Sequence, residues 1–201
     1  MPDQKDISAL SPNPKITPTR WIEVKGPDPP AGARRPVTKK STGAGPTRAT
    51  AALTKADIDF TVHEFEHDQL AESYGLEAAY ALEVPPAQVF KTLVAEVDGE
   101  LVVAIVPVDR RLKLKALSAA VGGRKAVLAE ADRAERATGY VLGGISPIGM
   151  KQHLPTVLDV SATELDRIYL SGGRRGLELE LAPSDLVAYA KARLAPIARS
   201  D

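Results

Sequence analysis

From about residue 47 the chain falls into short apolar runs of two different periods, separated by turn residues. Residues 49–58 and 74–82 carry apolar positions at helical spacing, and Val84-Pro85-Pro86 ends the second run, because proline disfavours helix in the residue before it. Between them, residues 60–65 read as a strand with aromatic ends. Residues 88–97 and 100–106 are β-rich runs joined by Asp98-Gly99, a strong hairpin signal. The run Leu101-Val102-Val103-Ala104-Ile105-Val106 is apolar at both parities, which predicts a central strand covered on both faces.

The alternation of elements continues to the end of the chain. Residues 112–121 form an amphipathic helical pattern stopped by Gly122-Gly123, residues 125–128 a short strand, and residues 131–137 one or two helical turns. Thr138-Gly139-Tyr140-Val141-Leu142 reads as a short strand feeding a glycine-rich stretch. Strands follow at 156–160, 168–171 and 177–181. The last alternates Leu177, Leu179 and Leu181 with Glu178 and Glu180, predicting one wet face. Pro183-Ser184-Asp185 then opens a helix over 186–194. Strands outnumber helices and interleave with them. The expected architecture is a mixed α/β domain, residues 47–201, around one curved sheet.

Residues 1–46 break the pattern. They hold nine of the chain's sixteen prolines and sustain neither period for more than a few residues. Such a segment buries too little apolar surface to offset its ordering entropy, so a disordered basic extension is expected. Trp21-Ile22-Glu23-Val24 reads as a short adhesive piece within it, able to dock on the body or on a partner. The 201-residue chain is 44% apolar and 26% charged, with no apolar run near the length of a membrane span and no apolar leader, which predicts a soluble cytoplasmic protein. The absence of cysteine excludes a disulfide, a thiolate metal site and a cysteine nucleophile.

The net charge of zero conceals an asymmetry. Residues 1–49 carry nine Lys/Arg against four Asp/Glu, and the rest of the chain 17 against 22. An acidic body argues against a broad nucleic-acid-coating surface. Residues 110–125, with six cations and no acid, leave room for a confined contact.

Four features bear on chemistry. His63-Glu64-Phe65-Glu66-His67 matches the H-E-x-x-H zinc pattern in letters, but that motif needs a helix to put both imidazoles on one face. On the strand expected here they stand ~13 Å apart, so no metal and no cofactor is expected. The second feature is Gly143-Gly144-Ile145-Ser146-Pro147-Ile148-Gly149, whose bare N–H groups suit a phosphate or a developing oxyanion. A plain turn fits the same residues. Ser146 fails the G-x-S-x-G pattern, because Ile148 stands where the last glycine belongs, and is better read as a supporting hydroxyl. The third is Lys91, which period 2 places on the apolar side with Val89, Leu93, Ala95 and Val97. It is either a snorkelling lysine or one held at the mouth of a pocket to meet an anion or a reacting oxygen. The fourth is Ser171-Gly172-Gly173-Arg174-Arg175-Gly176, which reads as a turn with solvated arginines or as a phosphate seat.

Val89-Phe90-Lys91-Thr92-Leu93, Gly139-Tyr140 with the Gly143 to Gly149 stretch, and Ser171 to Leu177 together resemble the three signature blocks of the YbaK-type proteins. These are bacterial trans-editing aminoacyl-tRNA deacylases related to the editing domain of bacterial prolyl-tRNA synthetases. The resemblance covers about residues 47–195. It implies a curved, largely antiparallel sheet or partly open barrel flanked by helices, with a pocket for the aminoacylated 3′ end of a tRNA. It implies removal of cysteine from Cys-tRNA(Pro), with Ala- or Ser-tRNA and a non-catalytic tRNA- or synthetase-binding role as alternatives. Prolyl-tRNA synthetase is the protein partner it implies, and no membrane is involved.

By the same resemblance Lys91 is the essential lysine, Gly144 and Ser146 belong to the catalytic loop, and Phe65, Thr92, Tyr140, Gly143, Ile145, Pro147, Ser171, Gly172, Arg174 and Glu178 line the substrate. Phe65 stands where members often carry Tyr, so a pocket hydroxyl is missing. The expected mechanism needs no nucleophile from the protein: the cysteinyl thiol attacks its own ester carbonyl, while N–H groups of the Gly143 to Ser146 turn hold the oxyanion.

Overall fold

The structure is a computed structural model, and it describes residues 45–67 and 73–200. The basic extension up to residue 44, with Trp21-Ile22-Glu23-Val24, lies outside the described residues. The elements run α1 (Arg48–Lys55), β1 (Phe60–Glu64), α2 (Tyr74–Ala81), β2 (Val89–Val97), β3 (Glu100–Pro107), β4 (Arg111–Leu112), α3 (Leu114–Ala120), β5 (Ala126–Leu128), α4 (Ala131–Thr138), β6 (Thr156–Asp159), β7 (Ile168–Ser171), β8 (Leu177–Leu181), α5 (Pro183–Ala190), β9 (Arg193–Ala195) and β10 (Ala198–Arg199). Among these residues no helix is long and apolar enough to cross a membrane.

The β2–β3 hairpin is the centre of the main sheet, whose strand order is β1-β8-β7-β2-β3-β6-β9 with β5 beside β2. Pairing is antiparallel in β1–β8, β7–β8, β2–β3 and β2–β5. It is parallel in β2–β7, β3–β6 and β6–β9. The sheet is therefore mixed and largely antiparallel. Among the described residues it remains open between β1 and β9 and is not a closed barrel.

Side-chain alternation sorts this sheet into two apolar faces. On the first face Phe90, Val103, Ile105, Leu158, Leu170 and Leu179 pack against Leu53 of α1, Leu186 of α5, Ala137 of α4 and Ile148 of the glycine-rich loop. Leu53 and Leu186 are completely buried, and each such burial stabilises the fold by about 1.5–3 kcal/mol. The second face is covered in two pieces. Ala78 and Ala79 of α2 lie over Val89 and Phe65, while Leu117 of α3 lies over Ala95, Val97, Val102, Ala104 and Val106.

Three local expectations are corrected. Residues 138–142 are not a strand: α4 ends at Gly139, which is left-handed at φ +71° and returns its N–H to Glu135 O at 2.6 Å. The final helix does not reach residue 194, because Lys191 turns left-handed at φ +49° and Arg193–Ala195 becomes a strand on β6. And β8 has no wet face at Glu178, which is buried.

Candidate active site

The two helices on the second face leave a gap, and Lys91 stands in it. Along β2, Val89 belongs to the cluster under α2, whereas Leu93, Ala95 and Val97 belong to that under α3. Lys91 is the residue between them, on the same parity. Its Nζ donates to Val108 O at 3.3 Å, which anchors the ammonium at the end of β3. Lys91 is half-buried between the two covering helices, with its ammonium on a backbone carbonyl.

Sheet register carries three more residues to the same face. In the parallel β2–β7 pair, Val89 lies opposite Tyr169 and Phe90 opposite Leu170, so one further step sets Lys91 beside Ser171. Ser171 pairs with Glu178, and Glu178 with His63. The row Lys91–Ser171–Glu178–His63 thus crosses four strands on one face, with Lys91 and Glu178 two strands, or ~10 Å, apart. Phe65, of the same parity as His63, faces Val89 and Tyr169 beneath α2.

Glu178 is the most perturbed member. Burial pushes its carboxyl up to about 8. Its Oε2 has no hydrogen-bond partner among the described residues. At neutral pH it is mainly the protonated acid, in register with Ser171 on the face that carries Lys91.

The rim comes from the glycine loop meeting the turn after β7. Gly143 is left-handed at φ +82°, and a Cβ there would lie 2.7 Å from Tyr74 Cε2 and 3.0 Å from Arg175 Nε. At Gly144 the added Cβ would meet backbone, Arg174 Cα at 3.0 Å and Arg175 N at 3.2 Å. Only glycine lets the two turns approach this closely. Arg175 clamps the approach, donating from Nη2 to Leu142 O at 2.9 Å and lying 4.7 Å over the Tyr74 ring. Arg174 instead pairs with Glu64 at 2.8 Å, so part of its charge is already met within the fold. Gly172 donates its N–H to Leu177 O and fixes the mouth of the turn.

Other expected site residues are placed away from the cleft. Thr92 follows Lys91 directly, so its side chain points to the opposite face, where its Oγ1 is buried. Tyr140 is buried and donates its hydroxyl to Ile148 O at 2.7 Å. Ile145 packs with Val94 and Ala134. Ser146 is fully buried and accepts the Ile148 N–H at 3.3 Å, which closes it to a substrate. Pro147 borders a separate cavity of about 300 Å³ with Met150, His153 and Tyr189. The Gly144 N–H is also occupied, donating to Val141 O at 3.0 Å, so it is not an oxyanion donor in this conformation. These residues shape the loop from behind.

The H-E-x-x-H residues separate as a strand requires. His63, on β1, contacts Glu180 at 2.8 Å, and His67, beyond the strand, contacts Glu77 of α2 at 2.8 Å.

Comparison with known proteins bears on what this cleft belongs to. Residues 71–189 match the family model described as the aminoacyl-tRNA editing domain. The chain belongs to that family. Across 160 residues it is 36% identical to EbsC of Enterococcus faecalis, named for deacylation of Cys-tRNA(Pro) and Cys-tRNA(Cys), covering 75% of this chain and 92% of EbsC. Over 98 residues it is 36% identical to the proline–tRNA ligase of Moorella thermoacetica, covering 49% of this chain and 17% of the ligase. A crystal structure described as a trans-editing enzyme for prolyl tRNA synthetase superposes with a TM-score of 0.69 at 25% identity, covering 76% of this chain and 96% of that one. The family resemblance read from the three sequence blocks is thus borne out.

Two residues ahead of the matched region, Thr47 and Arg48, carry no sign of their role in the sequence. Thr47 caps α1 and also donates to Gly172 O at 2.6 Å. Arg48 donates to Thr138 O at 2.6 Å and lies 4.6 Å over the Tyr140 ring. The start of α1 thereby ties both glycine turns together. Position alone, at the boundary with the basic extension, offered no sign of this.

Proposed function

We propose that this protein is a trans-editing hydrolase that removes the amino acid from mischarged tRNA(Pro), with Cys-tRNA(Pro) as its principal substrate. The observation that carries the reading is the row Lys91–Ser171–Glu178 in the gap between α2 and α3. It brings an ammonium, a hydroxyl and a neutral acid to one cleft beneath a glycine rim. The membership of the editing family and the name of EbsC support the substrate class.

The chemistry follows from those groups. The chain has no cysteine, and Ser146, the hydroxyl of the glycine loop, is enclosed. The reading therefore gives the attack to the substrate. The cysteinyl sulfur bonds to its own ester carbonyl, the carbon–oxygen bond to the ribose breaks, and the thiol proton ends on the ribose oxygen. Lys91 offsets negative charge on the carbonyl or ribose oxygen as that bond breaks. Protonated Glu178 and Ser171 supply hydrogen bonds on the same floor. Gly143 and Gly144 let the glycine loop pack directly on Tyr74 and the Arg174-Arg175 turn, which fixes the shape of the rim.

The test is hydrolysis of Cys-, Ala- and Ser-charged tRNA(Pro) by the purified full chain. The reading expects all turnover to be fastest with the cysteinyl ester. Faster release of alanine or serine would reassign the substrate and remove the thiol mechanism. Binding without hydrolysis of any of the three would make the chain a non-catalytic tRNA-binding module.

A further inference from the structure

The cleft opens next to a cluster of cations that the chemistry above leaves unused. The chain leaves Val108, whose carbonyl holds Lys91, and within a few residues enters β4 and then α3 on the same face of the sheet. Arg111, Lys113 and Lys115 are exposed there, and Arg110 is half-buried. The far strand of the small ribbon adds another cation: exposed Arg199 of β10 pairs in register with Arg111 of β4. Lys113, Lys115 and Arg199 also border a groove of about 640 Å³ floored by Leu112, Leu114, Ala116 and Ala119. At the far end of α3, exposed Arg124 and Lys125 continue the basic surface, their backbone N–H groups held by Asp98. Asp109 is the exposed acid at the near end.

The position of Arg199 is built in. Buried Asp159 accepts from Ile197 N at 2.9 Å and Ala198 N at 2.7 Å, and Lys113 N donates to Ile197 O at 2.7 Å. A buried carboxylate on β6 therefore locks the last strand against the start of α3, bringing cations distant in sequence to one surface.

We infer that this surface, Lys113, Lys115 and Arg199 with Arg110 and Arg111, binds the phosphate backbone of the acceptor stem of the same tRNA whose aminoacylated end enters the cleft. The inference rests on the editing reading and extends it to the RNA. Charge complementarity selects the occupant, since the surface is a cationic strip beside the cleft on a body whose remaining charge is acidic. It also gives sequence-independent affinity, because contacts to phosphate carry no base information.

Two measurements on the full-length triple variant Lys113→Gln/Lys115→Gln/Arg199→Gln test this, with Lys55→Gln/Arg136→Gln/Lys151→Gln, three exposed cations elsewhere on the body, as the charge-matched control. The first is fluorescence-anisotropy binding of uncharged tRNA(Pro) over a salt series, which needs no catalysis. The triple variant should bind about tenfold more weakly, with the slope of log K against log salt reduced by about 2–3, while the control behaves as wild type. The second is hydrolysis of Cys-tRNA(Pro) against a cysteinylated four-nucleotide 3′ end, where the triple variant should raise KM for the whole tRNA and leave kcat/KM for the short ester unchanged. Unchanged tRNA affinity, or equal losses in triple variant and control, would overturn the assignment. So would loss of binding to phosphatidylserine vesicles without loss on tRNA, which would make the surface a membrane contact. Failure of the wild type to hydrolyse either ester, with tRNA binding still lost in the triple variant, would sink the editing reading and leave the RNA surface standing.

Discussion

Ser171 and Glu178 are register partners across the β7–β8 ladder, and the carboxyl that faces the serine's side of the sheet is buried while the serine is half-exposed. The pair therefore spans the boundary between the wet cleft and its dry floor.

Glu178 makes the first prediction. Its pKa, raised from 4.5 to about 8 by burial, means that between those values the native state keeps a proton that the unfolded chain has released. Stability therefore falls as pH rises through that window, and the full loss is present above 8. Glu178→Gln should remove this term and be more stable than wild type at pH 9 by on the order of a few kcal/mol, with little difference at pH 4. Chemical denaturation of both proteins across the range checks it. Activity has the same sign: the ratio of wild-type to variant deacylation should fall above pH 8 as the wild-type acid ionises. A constant ratio from pH 6 to 9 would remove Glu178 from the cleft chemistry.

Gly144→Ala makes the second. The new methyl would press on Arg174 Cα and Arg175 N, which are backbone atoms and cannot swing away. Overpacking of this kind costs about 1–3 kcal/mol. The loop must separate from the Arg174-Arg175 turn, so deacylation should fall at least tenfold while the rest of the fold persists. Thermal melts and single-turnover rates measured together check this, and wild-type activity in the variant would show that the rim is not shaped by that contact.

Ser146→Ala separates a loop support from a catalyst. The Ile148 N–H loses its hydroxyl acceptor, a change worth about 1–2 kcal/mol in stability. The rate constant of the folded variant should stay within about threefold of wild type. A hundredfold loss with an intact fold would return Ser146 to the chemistry.

Much of the architecture was legible because it depends on local signals. Asp98-Gly99 adopts the two positive φ angles that its hairpin turn requires, +49° and +93°, and the strands on either side start and stop within a residue of the apolar runs. Lys91 was legible for a related reason, since an ammonium on an apolar parity needs a gap in the covering layer, and α2 and α3 leave one. Non-local facts were hidden. Alternation placed Glu178 opposite the leucines but could not say that this face is covered, so a buried acid passed for a wet one. The adjacency of β7 to β2, which creates the row, joins residues about eighty apart and has no sequence signature. Residues 138–142 have the composition of a strand, but Gly139 is the left-handed residue that ends the helix before it. Ser146 and Tyr140 sit in a signature block, yet their side chains turn inward, because a glycine-rich loop needs its own small core to hold a fixed shape.

The account stands most directly on Lys91. Its ammonium is the one cation on the row with Ser171 and Glu178, fixed by Val108 O at the floor of the cleft. The decisive measurement is single-turnover deacylation of Cys-tRNA(Pro) by Lys91→Ala, with its melting curve recorded alongside. The account predicts a loss of at least about 10²-fold, the scale of removing one preorganised charge-stabilising donor, in a protein that still folds. Deacylation at the wild-type rate would contradict it.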